Sequence, residues 1–181
     1  MQGDDERRII EKNIKEIVYS VSFIRPIPKD MFFQIFLTNS MEVNIKGTKI
    51  TAISDERNID FIKEITFMGS NVQQWVEYFL LSLKEKFSLK VEDVIWSYEV
   101  YLEIENNVKL NLNIPSVLPL IGNVTNYGIV ITNDPDFKMM LRNFTTVQID
   151  KRIRVIKRSE SFIDINNLLS DLEKLLEKIK T

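Results

Sequence analysis

The 181-residue chain has no cysteine and no histidine, and only five glycines and five prolines. The absence of cysteine excludes disulfides, thiolate metal sites and a cysteine nucleophile. Without histidine, acid–base chemistry would fall to Asp, Glu, Lys or Tyr, and no recognisable constellation of these is present. The few glycines form no Gly-rich phosphate loop. No apolar run approaches the ~20 residues that span a bilayer, so no membrane partner is expected. The net charge of −2 gives no general attraction to nucleic acid or anionic lipid. An enzyme is therefore the least expected class, and no cofactor or metal is implied. The opening MQGDDERR is acidic and polar and does not read as a signal peptide. With the lack of cysteine, this gives the expectation of a cytoplasmic protein, associated with the nucleoid if it binds DNA.

What is present is a hydrophobic fraction of 44%, enough for a sizeable core, and a weak internal repeat. Ile14-Lys15-Glu16-Ile17-Val18-Tyr19-Ser20 reappears as Val91-Glu92-Asp93-Val94-Ile95-Trp96-Ser97. Ile50 to Asp55 matches Ile129 to Asp134, and Val72 to Leu83 matches Ile165 to Leu176. The offset grows along the chain, which implies an insertion in the second copy before its helix. The division is a charged leader at 1–13, helical from Asp5 to Lys12, a first repeat at 14–90 and a second at 91–181.

Each copy reads as strand, short helix, several strands, long helix. Period-2 alternation predicts a strand over Lys15–Phe23, stopped by Pro26 and Pro28. A short helix follows over Met31–Leu37, then strands at Glu42–Ile45, Lys49–Ser54 and Asn58–Phe67. Val72, Trp75, Val76, Phe79 and Leu83 make the apolar stripe of a helix from Asn71 to Phe87. In the second copy the expected strands are Glu92–Glu103, Gly128–Thr132, Phe137–Phe144, Thr146–Ile149 and Arg152–Lys157. A short or broken helix is expected at Asn113–Leu120, and a final helix from the cap Asp164. Tyr19, Trp75, Phe79, Trp96, Leu168 and Leu172 are the expected core. The extra residues are expected to form a hairpin, Phe137 to Lys157, projecting with its basic side exposed.

The order of elements resembles the TATA-box-binding protein family. The resemblance rests on three places per half. The first is the opening strand, Ile14–Ser20 and Val91–Ser97. The second is the turn after the second strand, Ser54-Asp55-Glu56-Arg57 and Asn133-Asp134-Pro135-Asp136. The third is the passage into the long helix, Ile65-Thr66-Phe67-Met68-Gly69-Ser70. The resemblance implies an α+β fold: a pseudo-twofold saddle of one curved antiparallel sheet, with long helices on its convex face. It implies a concave binding face carrying Glu16, Val18, Ser20 and Thr66 beside Asp93, Ile95 and Ser97. The family wedges phenylalanines into the DNA minor groove. The nearest positions here include Tyr127 and Phe144. Glu16 and Asp93 stand where the family carries base-contacting asparagines. A carboxylate cannot donate to base acceptors and repels phosphate. The implied function is a divergent TATA-binding-like factor in transcription initiation or its regulation, with weakened or altered DNA recognition. Double-stranded DNA, general transcription factors or another protein are the implied partners.

Plainer readings stand beside this. Lys151, Arg152, Arg154 and Arg158 form the only basic run. Such a ribbon suits phosphate contacts, and equally a charged edge strand protected against aggregation. Glu16 and Asp93 also read as a solvated acidic surface. Two alternative functions remain open: a protein-interaction module on the same fold, and a carrier with a hydrophobic cavity between sheet and long helix.

Overall fold

Strand β1 (Ile14–Pro28) organises the molecule. Its residues alternate: Tyr19, Val21 and Phe23 are buried, while Glu16, Val18, Ser20 and Ser22 face the other way. In the computed structural model, which describes residues 13–106 and 128–179, the prolines do not end this strand. The ladder from β1 to its neighbour is irregular between Ser22 and Ile27, and Pro26 lies in that gap, where no ladder N–H is needed. Pro28 then precedes helix α1 (Lys29–Phe36).

Strands β2 (Glu42–Ile45), β3 (Thr48–Asp55) and β4 (Asn58–Gly69) follow, then helix α2 (Val72–Phe87). A single helical turn, α3 (Val91–Val94), leads into β5 (Ile95–Glu105). Beyond residue 127 come β6 (Ile129–Thr132), β7 (Phe144–Ile149), β8 (Arg152–Ser159), α4 (Phe162–Asn166) and α5 (Leu168–Ile179). Among the described residues eight strands form one open antiparallel sheet in the order β2-β3-β4-β1-β5-β8-β7-β6. Each half of the sheet comes from one stretch of sequence, and β1 joins β5 in the middle.

The helices pack on one face. Phe79 of α2 meets Phe23, Phe36 and Phe67, and Phe162 of α4 meets Tyr19 and Tyr98. Leu168, Leu172 and Leu176 of α5 close the same core, and Lys157 of β8 reaches Asp171 of α5 at 3.5 Å. No described helix covers the other face, the open face of the sheet.

Several expectations need correction. The strand expected from Glu92 begins only at Ile95. Residues 91–94 form a helical turn instead, with Glu92 and Asp93 at its N-terminal end, where carboxylates are favourable. No strand forms over Phe137–Leu141. Residues 133–143 are a loop, with Phe137 and Met139 at positive φ (53° and 55°). The hairpin of β7 and β8 therefore does not project. It lies inside the sheet, and β8 is an inner strand between β5 and β7. The last helix starts at Phe162 and breaks at Asn167. The match of 50–55 with 129–134 equates β3 with β6, yet β3 is second from one edge and β6 is the other edge. Of the expected core, Trp75 is half-buried, and Trp96 packs against the Arg158 guanidinium rather than a helix. The leader helix, the Asn113–Leu120 segment and Tyr127 lie outside the described residues.

Candidate docking face of the sheet

The strand register fixes which side chains share the open face. Residues directly opposite one another in a sheet point the same way. Val18 lies opposite Met68 on β4 and Tyr101 on β5, and Tyr101 lies opposite Ile156 on β8. These four make an apolar row across the central strands. On one side runs Thr66, Ser20, Glu99 and Arg158. On the other runs Glu16, Glu103 and Arg154. Glu64 and Ser22 pair one step further along.

Glu16, Val18, Ser20 and Thr66 therefore share this face, as expected. Their neighbours differ from those expected. Glu16 stands opposite Glu103, Val18 opposite Tyr101 and Ser20 opposite Glu99. Asp93 is exposed in the α3 turn, outside the strand. Ile95 is opposite Phe23 and buried on the helix side. Ser97 does reach the open face, opposite Ser22, but is buried there. The reason is geometric. In an antiparallel pair, repeat-equivalent positions run away from each other, so they meet only at the midpoint. Phe144 pairs with Arg158 and is buried under its guanidinium, whose carbon lies 5.0 Å from the ring centroid.

Carboxylates occupy most of the basic run. Arg152 meets Glu103 at 2.7 Å, Arg158 meets Glu99 at 2.8 Å, and Arg154 lies 3.8 Å from Asp150. Lys151 is exposed in the turn between β7 and β8. The hydrogen bond from Arg152 holds the Glu103 carboxyl below its usual range, and the Tyr101 hydroxyl, donating to Glu103 at 3.2 Å, adds to this. Burial pushes the Tyr101 phenol up, reinforced by Glu103 and Glu16. No salt bridge reaches Glu16 or Glu64 among the described residues. Burial pushes the Glu64 carboxyl up, and nearby Glu99 pushes it further, against the Ser20 hydroxyl and Arg158.

A carboxyl whose folded pKa is raised favours the folded state below the unfolded pKa, and this contribution is lost as pH rises through the folded value. Glu64→Gln should therefore raise the urea midpoint at pH 7, and the gain should vanish below the ordinary carboxylate range. An unchanged midpoint at pH 7 would show that the Glu64 charge is not strained.

Arg158 also anchors the 133–143 loop. Its Nη1 donates to the carbonyls of Met139 (2.6 Å) and Leu141 (3.1 Å). The buried Asp134 carboxylate accepts the Met139 N–H at 2.9 Å. Arg158→Ala should cost about 2–3 kcal/mol, because several charge-assisted hydrogen bonds are lost together. Limited proteolysis should then cut the loop faster near Phe137–Leu141. An unchanged cleavage rate would mean that Asp134 alone holds the loop.

Sequence reasoning missed Glu64, Glu99, Tyr101 and Glu103. The alternation of Glu99, Tyr101 and Glu103 within β5 was a visible signal, but the repeat match at 91–97 drew attention to the wrong end of the strand. Among the described residues no group of three His, Cys, Asp or Glu could hold a metal ion, and no helix is long and apolar enough to cross a membrane. No family model matches the chain, and no curated protein matches it in sequence.

Proposed function

We propose that this chain is a divergent saddle of the TATA-binding-protein type whose open face docks a protein segment instead of reading DNA, in transcription initiation or its regulation. The strand order supports the pseudo-twofold: β1, β4, β3 and β2 run outward on one side of the seam, and β5, β8, β7 and β6 run outward on the other. The placement of α1, α2, α4 and α5 on a single face supports the saddle's division into a helix side and a binding side. The observation that carries the docking role is the pair of carboxylates Glu16 and Glu64 on the central strands β1 and β4, which no salt bridge reaches among the described residues, while Glu99 and Glu103 of β5 hold Arg158 and Arg152. Carboxylates there repel phosphates and cannot donate to the acceptors of the minor groove. The row Met68, Val18, Tyr101 and Ile156 between them suits an apolar stripe flanked by Lys or Arg, as on an amphipathic helix.

A fluorescein-labelled Lys/Leu amphipathic helical peptide and a duplex containing a TATA element test this over a range of salt. The peptide should bind with a salt-dependent affinity, and the duplex should not be shifted at physiological salt. Glu16→Gln with Glu64→Gln should weaken the peptide about tenfold, the combined worth of two partly screened charge contacts. The same double variant should be at least as stable as the parent, so loss of binding cannot be ascribed to unfolding. Tight duplex binding by the parent, or peptide binding indifferent to the double variant, would overturn the proposal.

A further inference from the structure

Four large apolar side chains of the 133–143 loop stand in solvent. Phe137, Met139, Met140 and Leu141 are between 42% and 76% exposed. Scattered single exposures are normal on a protein surface, but four within five positions form a patch, and patches mark interaction sites.

The backbone beneath them is firmly held. Arg158 donates to the Met139 and Leu141 carbonyls, and the Asp134 carboxylate accepts the Met139 N–H. Arg142 donates to the Trp96 carbonyl and pairs with Glu160 at 3.2 Å. Phe137 and Met139 keep a left-handed φ that neither residue type favours. Strain of this kind persists only where the surroundings enforce it. The loop thus presents its apolar side chains on a fixed support instead of burying them.

Arg158 also sets where the loop stands. It shares a row of the open face with Thr66, Ser20 and Glu99. The loop therefore rises over β8, on the second half of that face. Glu16 and Glu64 lie on β1 and β4, in the first half. From β4 to β8 there are three strand spacings, about 14 Å, or about nine residues of helix.

On the basis of the docking role proposed above, we infer that the loop is an apolar anchor site for the same partner segment. The partner is a basic helix lying across the strands, with Lys or Arg over Glu16 and Glu64. An aromatic side chain about nine residues further on packs against Phe137, Met139 and Met140. Methionine suits this role, because its flexible thioether adapts to a ring and contacts it favourably. A lipid surface fits the patch less well. The loop exposes one acid, Asp136, and one base, Lys138, so it has no net charge to draw anionic headgroups. The carboxylates of the neighbouring strands repel them.

Two fluorescein-labelled helical peptides test this by anisotropy with the full chain. Both carry lysines at one end. One has Trp about nine residues further on, and the other has Ser there. The Trp peptide should bind the parent about tenfold more tightly, as burial of part of one ring gives. That ratio should persist at high salt, because apolar contact is not screened. Phe137→Ser with Met140→Ser should bring the Trp peptide to the affinity of the Ser peptide. Met140→Ser alone, at the most exposed of the four positions, should reduce the ratio and serves if the double variant does not fold. Equal binding of the two peptides to the parent would overturn the anchor site. The docking face would still stand if both peptides weakened on Glu16→Gln with Glu64→Gln. If neither peptide bound, the docking reading would fall and the anchor site with it. A ratio unchanged in the loop variants would overturn the inference. So would co-sedimentation of the parent with phosphatidylserine vesicles that the loop variants lose, which would make the loop a membrane contact.

Discussion

Replacing Phe79 with alanine is expected to destabilise the protein by about 3–5 kcal/mol, the range for removing a buried aromatic ring. Phe79 is fully buried on α2. Its ring lies 6.0 Å from Phe23 on β1, 6.2 Å from Phe36 on α1 and 6.5 Å from Phe67 on β4, centroid to centroid. These contacts join the long helix, the short helix and two strands at one point. A cavity there has rigid walls on three sides and little freedom to collapse, which places the loss toward the upper part of the range. Urea unfolding of parent and variant, with the slopes compared, measures it. A difference below about 1 kcal/mol would fall outside what a buried ring can give and would remove Phe79 from the core.

Gly69→Ala is expected to be the most damaging change that adds a single carbon. Gly69 ends β4 at φ +106°, and a Cβ there would stand 2.4 Å from the carbonyl oxygen of Gly47. That oxygen accepts the Ser70 N–H at 3.2 Å, and the buried Thr48 hydroxyl donates to the Ser70 carbonyl. The turn between β2 and β3 is therefore bound closely against the exit from β4. A methyl group must either push the backbone apart or break these bonds. Backbone strain of about 1–2 kcal/mol adds to an overpacking term of about 1–3 kcal/mol. Gly47→Ala is the control. Its φ is +87°, but its nearest neighbour is the Ser70 hydroxyl at 3.4 Å, so only the strain applies. Thermal melts of the two variants should rank Gly69→Ala well below Gly47→Ala. Equal melts would mean that the β2–β3 turn yields freely.

Much of this architecture was legible in the residues. The alternation of Ile17, Tyr19, Val21 and Phe23 identified β1 and its buried face, and the stripe through Val72, Val76, Phe79 and Leu83 identified α2. The β-branched runs gave β2, β3 and β4 within a residue or two. The second half was harder to read. Glu92 and Asp93 look like strand residues when aligned to Lys15 and Glu16, but two carboxylates at the start of a helical turn are favoured there by the local dipole. Phe137 and Met139 look like strand residues by type, yet hydrogen bonds to Asp134 and Arg158 hold the segment as a loop. The face of Glu16 could be read from its own strand. Its neighbours could not, because they depend on how β1 is registered against β5, and no local pattern encodes that.

The seam between β1 and β5 also bears on how the chain folds. It brings Tyr19 opposite Val100, positions separated by most of the first half of the sequence. The other pairings in the first half close shorter loops, from the tight turn between β3 and β4 to the span that joins Pro28 to Phe61 and Val18 to Met68. Closing the long loop is entropically unfavourable until the β1 and β5 surfaces already exist to reward it. The seam is thus the natural late event, and the transition state for folding should be sought in the pairing of two preformed ribbons rather than in either alone. Conservative truncations at Val18 or Tyr101 should then slow folding, while truncations out at β2 should act mainly on unfolding.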